Sequence, residues 1–189
     1  LLILSYDCQK PLSSTANQAI ADWVKAGGVL LYLGGKDDYS SLAGTWWNDQ
    51  GKTPMTDLFA KLGLSGISTG NILSGSSLSW KGESGFGSSF GSASLSSGNR
   101  SYSYAFSGSG FTAILKAGLF GNLNAGIRAD AGQGKVIAVG LPSSIYSTSD
   151  KGPAMLRDLV KYAMSFTDED YLESDLMAIQ RGNYIAAQA

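Results

Sequence analysis

The chain has 189 residues, with 14 Lys and Arg against 15 Asp and Glu, so its net charge at neutral pH is close to zero. This length accommodates one domain with a substantial core. A near-neutral chain without a long basic run offers no surface for phosphate backbones, and no segment approaches the roughly 20 consecutive apolar residues that span a bilayer. We therefore expect neither a nucleic-acid partner nor insertion into a membrane.

The sequence contains no histidine and a single cysteine, Cys8. Without histidine there is no imidazole to act as a general base or a zinc ligand. Cys8 follows a predicted strand, but it lacks a nearby base that would lower its pKa, so a small packed side chain is the better interpretation. We predict no catalytic residue, no metal site and no cofactor. The low charged fraction, 15%, slightly favours an extracellular or cell-surface location.

The first third of the chain predicts a βαβ unit. Residues 1–6 and 29–33 are apolar runs without alternation, typical of parallel strands that are covered on both faces. Ser and Thr at positions 13–15 offer N-cap oxygens for a helix between these strands. Its predicted buried stripe is Ala16, Ile20, Trp23, Val24 and Gly27. Because the chain opens on a strand of the buried type, we expect the natural protein to extend upstream.

A second helix and a β-rich segment follow. Thr53 and Pro54 predict a helix start, Gly63 predicts its end, and the expected core side is Met55, Leu58, Phe59 and Leu62. Residues 65–117 are rich in Ser and Gly, with recurring aromatic side chains. Tyr102, Tyr104 and Phe106 alternate as they would on one face of a strand, so we predict an ordered insertion of short antiparallel strands.

The last third predicts strands at residues 111–116 and 135–140, and then a helix that begins near Asp150 with Pro153 in its first turn. The expected core side of this helix is Met155, Leu156, Leu159, Val160 and Ala163. The predicted fold is a flavodoxin-like, three-layer α/β domain over residues 1–167, with a mostly parallel sheet and the β-rich insertion. Residues 168–189 are predicted to be an acidic linker and the start of a following domain, without the residue spacing of a calcium loop.

Two segments resemble the class I glutamine-amidotransferase-like superfamily. Residues 1–35 look like its strand, helix, V-x-x-G-G, strand passage, and residues 132–140, GQGKVIAVG, look like its late glycine turn and strand. In active members a cysteine follows the strand that residues 29–33 would match, but here Leu33, Gly34 and Gly35 stand nearest to that turn. With no histidine to activate a nucleophile, the chain is most similar to the non-catalytic members found in β-galactosidases and related glycoside hydrolases.

The residues expected at a ligand-facing edge follow the two predicted parallel strands. Asp7 comes directly after the first strand, and Asp37 and Asp38 follow the second, so their carboxylates are expected at the same edge of the sheet. Paired carboxylates can catalyse glycoside hydrolysis, whereas loop aspartates more often cap turns or solvate a loop. Both interpretations stay open at this point.

The remaining ligand-site candidates are Gly34, Gly35, Trp46 and Trp47. Glycine brings backbone N–H groups close to a ligand, but it also serves turn geometry. The tryptophans are expected to divide between core packing and contact with a neighbouring domain, and they could stack on a sugar.

The function predicted from the sequence is a non-catalytic structural or interaction domain of a larger, carbohydrate-active protein. Its expected partners are other domains of the same polypeptide or further copies in a homo-oligomer, with a carbohydrate as an additional ligand. Two alternatives remain: a carboxylate edge that completes a glycoside hydrolase active site, and a stand-alone sugar-binding module that uses Trp46, Trp47 and Trp80.

Overall fold

A computed structural model describes residues 1–6, 11–35, 46–49, 52–72, 77–88, 91–96, 102–118, 121–172, 177–181 and 184–188. The helices are α1 (Ser14–Lys25), α2 (Trp46–Asp49), α3 (Pro54–Leu62), α4 (Ile145–Thr148) and α5 (Gly152–Met164). The strands are β1 (Leu2–Leu4), β2 (Val29–Leu33), β3 (Ile67–Asn71), β4 (Ser77–Trp80), β5 (Ser92–Ser94), β6 (Tyr104–Gly108), β7 (Phe111–Ala117), β8 (Leu123–Ala131), β9 (Gly134–Val139), β10 (Met177–Arg181) and β11 (Tyr184–Gln188).

The fold is mixed α/β, built on a curled sheet with the main strand order β1-β2-β9-β8-β7-β4-β5. Strand β6 pairs with β3 and β8. Only the pairs β1–β2 and β2–β9 are parallel among the described strands, and all the others are antiparallel. The prediction of an α/β fold is confirmed, but the predicted flavodoxin-like, mostly parallel sheet is wrong.

The strand that changes the sheet direction is β8, which the sequence analysis missed. It lies antiparallel between β7 and β9, and the two-residue turn at 132–133 joins it to β9. A two-residue connection permits only an antiparallel pair. Its signal was nevertheless present in the sequence, because Leu123, Ala125, Ile127, Ala129 and Ala131 alternate with polar residues or glycine.

The central strands are covered on both faces, which explains why β2 has no alternation. Leu30 and Tyr32 pack with Ala21 and Val24 of α1 and with the apolar side of α3. Val29, Leu31 and Leu33 point to the opposite face and pack with α4 and α5. All five residues of β2 are buried, as the continuous apolar run predicts.

The segment at residues 65–117 forms strands β3 to β7, so the predicted antiparallel strands are confirmed there. These strands join the main sheet through β7 and β8 and do not form a separate unit. The predicted one-sided aromatic face is wrong in part. Tyr104 and Phe106 pack against α3, but Tyr102 precedes the strand and is 55% exposed.

Local signals set the helix ends. In α3, Thr53 is the N-cap and forms a capping box with Thr56, while Gly63 ends the helix in the left-handed region at φ 84°. The predicted core sides of α3 and α5 are confirmed, except that Leu156 and Val160 of α5 are only partly buried.

The predicted face of α1 is rotated: its buried residues are Asn17, Ala21 and Val24, whereas Trp23 is 43% exposed.

The chain beyond α5 forms a hairpin of β10 and β11, which pair antiparallel in a sheet of their own. The boundary predicted near residue 168 stays a prediction. Within the described ranges, no helix combines the length and apolar character that a membrane crossing requires.

Candidate functional site

The turn after β2, where the predicted ligand-site residues Gly34 and Gly35 lie, is filled by backbone. The amide of Gly34 donates to the carbonyl oxygen of Val139 at 3.2 Å. A Cβ on Gly35 would overlap the carbonyl oxygen of Tyr102 and would lie 2.8 Å from the amide nitrogen of Pro142. These partners are main-chain atoms and cannot rotate away, so position 35 accepts only glycine without a shift of the backbone.

We expect Gly35→Ala to lower the free energy of unfolding by about 1–3 kcal/mol, because the added methyl forces neighbouring backbone apart. Gly70→Ala is the matched control, since a Cβ at position 70 meets no atom within 4 Å. Urea unfolding of both variants measures the difference. If Gly35→Ala is as stable as Gly70→Ala, the turn has room for a side chain and is not closed.

A buried polar network joins Tyr6, two residues after β1, to α1 and α3. Asp57 is 1% exposed, and one of its oxygens accepts hydrogen bonds from Ser14 Oγ at 3.1 Å and from Asn17 Nδ2 at 2.9 Å. Asn17 Nδ2 also donates to the carbonyl oxygen of Pro54 at 2.9 Å, and Asn17 Oδ1 accepts from the hydroxyl of Tyr6.

Two lysines lie close to the Asp57 carboxylate. Lys52 and Lys61 place ammonium groups 3.6 and 3.8 Å from Asp57 Oδ1, and the carboxylate lies in the first turn of α3, where the helix dipole favours negative charge. Burial raises the pKa of the Tyr6 hydroxyl, and the negative charge of Asp57 raises it further. Tyr6 therefore stays a neutral donor. The Asp57 carboxylate is too deeply buried to meet a substrate. Its hydrogen bonds to Ser14 and Asn17 hold α1 against α3, and we call this network the clamp.

Sequence reasoning missed Tyr6, Asn17 and Asp57. The available signal was the position of Asn17, which lies four residues before Ala21 and seven before Val24, on one helix face. A polar residue on such a buried stripe needs a hydrogen-bond partner. The separation of 40 residues between Asn17 and Asp57 hides that partner from any local pattern.

Trp46 and Trp47, the predicted tryptophan pair, are the first two residues of α2. Trp46 is half-buried, its indole nitrogen donates to the carbonyl oxygen of Pro11 at 3.0 Å, and its ring meets that of Trp47 edge-on at 5.5 Å. Trp47 is 2% exposed, and its indole N–H has no acceptor among the described residues. Asp7, Asp37 and Asp38 lie outside the described residues, so their predicted convergence stays a prediction.

Trp80 serves packing. Its ring meets Tyr162 of α5 edge-on at 5.2 Å, and its indole nitrogen donates to the carbonyl oxygen of Glu83 at 3.1 Å. A Cβ on Gly82 would lie 2.6 Å from the ring, and one on Gly87 would overlap it, so the two glycines lie directly against the indole. This arrangement leaves little of the ring for stacking on a sugar.

A groove of about 480 Å³ lies between α3 and β3, bordered by Lys52, Thr56, Ser65, Ser68 and Thr69 together with apolar side chains. Asp57 is not among the residues that line it. In the part of the chain that the structure describes, no group of three or more His, Cys, Asp or Glu side chains could hold a metal ion. Among the described residues, this region thus combines a buried hydrogen-bond network with a turn that is closed by backbone.

Comparison with known proteins gives a fold likeness. No protein-family model matches this sequence, and no curated protein matches it either. Gan42B, a GH42 β-galactosidase, superposes with a TM-score of 0.51 at 16% identity, over 94% of this chain and 22% of its own. β-Galactosidases from Rahnella sp. R3 and Bacillus circulans sp. alkalophilus superpose with TM-scores of 0.47 and 0.48, at 14% and 10% identity, over 93% and 95% of this chain and 24% of each enzyme.

The chain therefore has a fold that occurs within a glycoside hydrolase. It spans between 22% and 24% of the length of these enzymes. At 16% identity the likeness to Gan42B concerns the fold alone.

Proposed function

We propose that this chain is a non-catalytic domain of the class I glutamine-amidotransferase-like type, which packs against other domains of a larger carbohydrate-active protein. The observation that carries the proposal is the closed turn after β2. Gly35 lies against the backbone of Tyr102 and Pro142. The sequence resemblance implies that active members would hold their nucleophilic cysteine at this turn. The 189-residue sequence also has no histidine that could activate such a cysteine.

The carbohydrate context is supported by the fold. Gan42B is a β-galactosidase, and the matched part is 22% of its chain. A domain of this fold can thus occur inside a longer glycoside hydrolase. Trp47 and Trp80 are engaged in packing within the domain, which favours a docking role over a sugar-stacking platform.

The first test is enzymatic. The purified 189-residue chain is expected to hydrolyse neither glutamine nor p-nitrophenyl β-D-galactoside or β-D-mannoside above the buffer rate. Titration with galacto- and manno-oligosaccharides is expected to leave its tryptophan fluorescence unchanged. Turnover that disappears in Asp37→Asn, or a saturable fluorescence response, would overturn the proposal in favour of the carboxylate edge or the sugar-binding module.

The second test concerns docking in the full-length protein. Deleting this domain is expected to lower the Tm of the remaining domains, because an apolar interface is exposed to water. A full-length protein whose remaining domains keep the same Tm and the same activity after the deletion would show that the domain docks on none of them.

A further inference from the structure

Strand β1 forms a free edge of the main sheet. It pairs with β2 through the registers Leu2↔Leu30, Ile3↔Leu31 and Leu4↔Tyr32, and no described strand lies on its other side. A free edge presents a row of backbone donors and acceptors that another strand can use. No described strand therefore uses these groups, although the residues of β1 are of the kind found in covered strands.

One face of β1 is also uncovered. Ile3 and Leu31 are neighbours in register and point to the same face, yet Leu31 is fully buried against the cluster that includes α5, whereas Ile3 is 49% exposed. On the opposite face Leu2 and Leu4 pack with the α1 side of the core. The exposed face of β1 is therefore the one that carries Ile3, on the α5 side of the sheet.

A pocket of about 430 Å³ lies at the amino end of β1 and β2, between the end of α1 and the residues that follow α5. Its apolar lining includes Trp23, Val29 and Phe166, and its rim carries Asp168 and Glu169. Trp23 is 43% exposed, and a Cβ on Gly28 would lie 2.6 Å from its ring. Both rim acids are exposed, and neither forms an ion pair within the described residues. Partly exposed apolar side chains thus lie next to two carboxylates that have no ion-pair partner among the described residues.

The free edge and the two carboxylates favour one kind of binding partner for β1. A strand that pairs with β1 in the parallel direction continues the arrangement of β1, β2 and β9, and its amino end lies at the acidic rim. Basic residues just before such a strand would neutralise Asp168 and Glu169. Apolar side chains on the strand would extend the cover over Ile3.

We propose that β1 binds an apolar β-strand preceded by Lys or Arg, supplied by another part of the polypeptide that carries this domain, which adds to the sheet in the parallel direction. The proposal rests on the proposed docking function and names the surface and the chemistry of its partner. Gan42B gives a precedent for further chain around this fold, since the matched region is 22% of its length.

The test uses two fluorescein-labelled peptides, each with four alternating Val-Thr pairs, one preceded by two lysines and the other by two glutamates. Fluorescence anisotropy with the 189-residue chain is expected to give at least tenfold tighter binding of the basic peptide. Ile3→Lys and the double charge reversal Asp168→Lys, Glu169→Lys are each expected to weaken that binding at least tenfold. Leu12→Lys is the matched control, because Leu12 is 98% exposed and lines none of these features.

Equal binding of the two peptides, or unchanged binding by both edge variants, would overturn the proposal. The double charge reversal changes only exposed residues, so it remains informative if Ile3→Lys unfolds the chain. Light scattering of the purified chain tests a second copy as the occupant. Self-association that Ile3→Lys abolishes would show that β1 pairs with a second copy, and it would reject a strand from the same polypeptide. Absence of peptide binding with no turnover rejects this inference alone, whereas turnover in the enzymatic test rejects the proposed function.

Discussion

Replacing Tyr162 with alanine is expected to lower the free energy of unfolding by about 3–5 kcal/mol, the cost of removing a large aromatic side chain from a core. Tyr162 is 1% exposed, and its ring meets those of Trp80, Phe86 and Phe166 edge-on at centroid distances of 5.2, 5.1 and 5.1 Å. Tyr162 is therefore the centre of the aromatic cluster that attaches the loop after β4 to α5.

The Tyr162 hydroxyl is part of a second interaction. It accepts a hydrogen bond from Arg128 Nη1 at 3.1 Å, and the same guanidinium pairs with Glu83 and lies 5.4 Å from the centroid of the Phe166 ring. Tyr162→Phe keeps the ring and removes only the hydroxyl, with its hydrogen bonds to Arg128 and Glu83, so its expected cost is about 1 kcal/mol. The two variants together separate the ring from the hydroxyl.

Urea unfolding followed by tryptophan fluorescence measures these changes. Tyr102→Ala is the control, because Tyr102 is 55% exposed and is expected to change stability by less than about 1 kcal/mol. A loss below about 1 kcal/mol for Tyr162→Ala would contradict the packing described for this cluster.

Replacing Asp57 with alanine is expected to cost about 2–4 kcal/mol, because the change leaves buried donors without their acceptor. Asn17, which is fully buried, loses its carboxylate partner, and Ser14 and two lysines lose theirs. The lysine contribution is the smaller part, since Lys52 is 44% exposed and solvent screens its charge. Most of the loss therefore comes from the buried hydrogen bonds.

The matched control is Asp22→Ala in α1. Asp22 is exposed and accepts a hydrogen bond from Gln18 Nε2 at 2.8 Å on the helix surface, so its removal is expected to change stability by less than about 0.5 kcal/mol. Equilibrium unfolding in urea compares the two variants. Equal stability of Asp57→Ala and the control would mean that the clamp between α1 and α3 does not hold in solution.

Much of the parallel half of the fold could be predicted from local patterns. The apolar run of β2, the Thr53–Pro54 start of α3 and the glycine at position 63 are signals within a few residues of the element that they define. Their physical basis is local: burial on both faces requires continuous apolar residues, and capping requires a hydroxyl and a permissive backbone at fixed positions.

The antiparallel half could not be assigned in the same way, because strand direction depends on pairing. Phe111 pairs with Ala129 and Ile67 with Gly108, and the choice of neighbour decides whether a sheet is parallel. Because β8 was not predicted, its antiparallel pairs with β7 and β9 were missed, and the sheet was predicted to be mostly parallel. The buried network was missed for the same reason, since Asp57 bonds with Ser14 and Asn17, which lie 43 and 40 positions before it.

For this protein, the order of residues sets the βαβ unit, the helix ends and the absence of any imidazole chemistry, because these depend on composition and on neighbours along the chain. The three-dimensional arrangement sets the sheet direction, the closure of the turn at Gly35, the shielding of Trp80 and the free edge at β1. Each of these arises where segments distant in sequence either fill the space beside a residue or leave it empty, and no local pattern records that outcome.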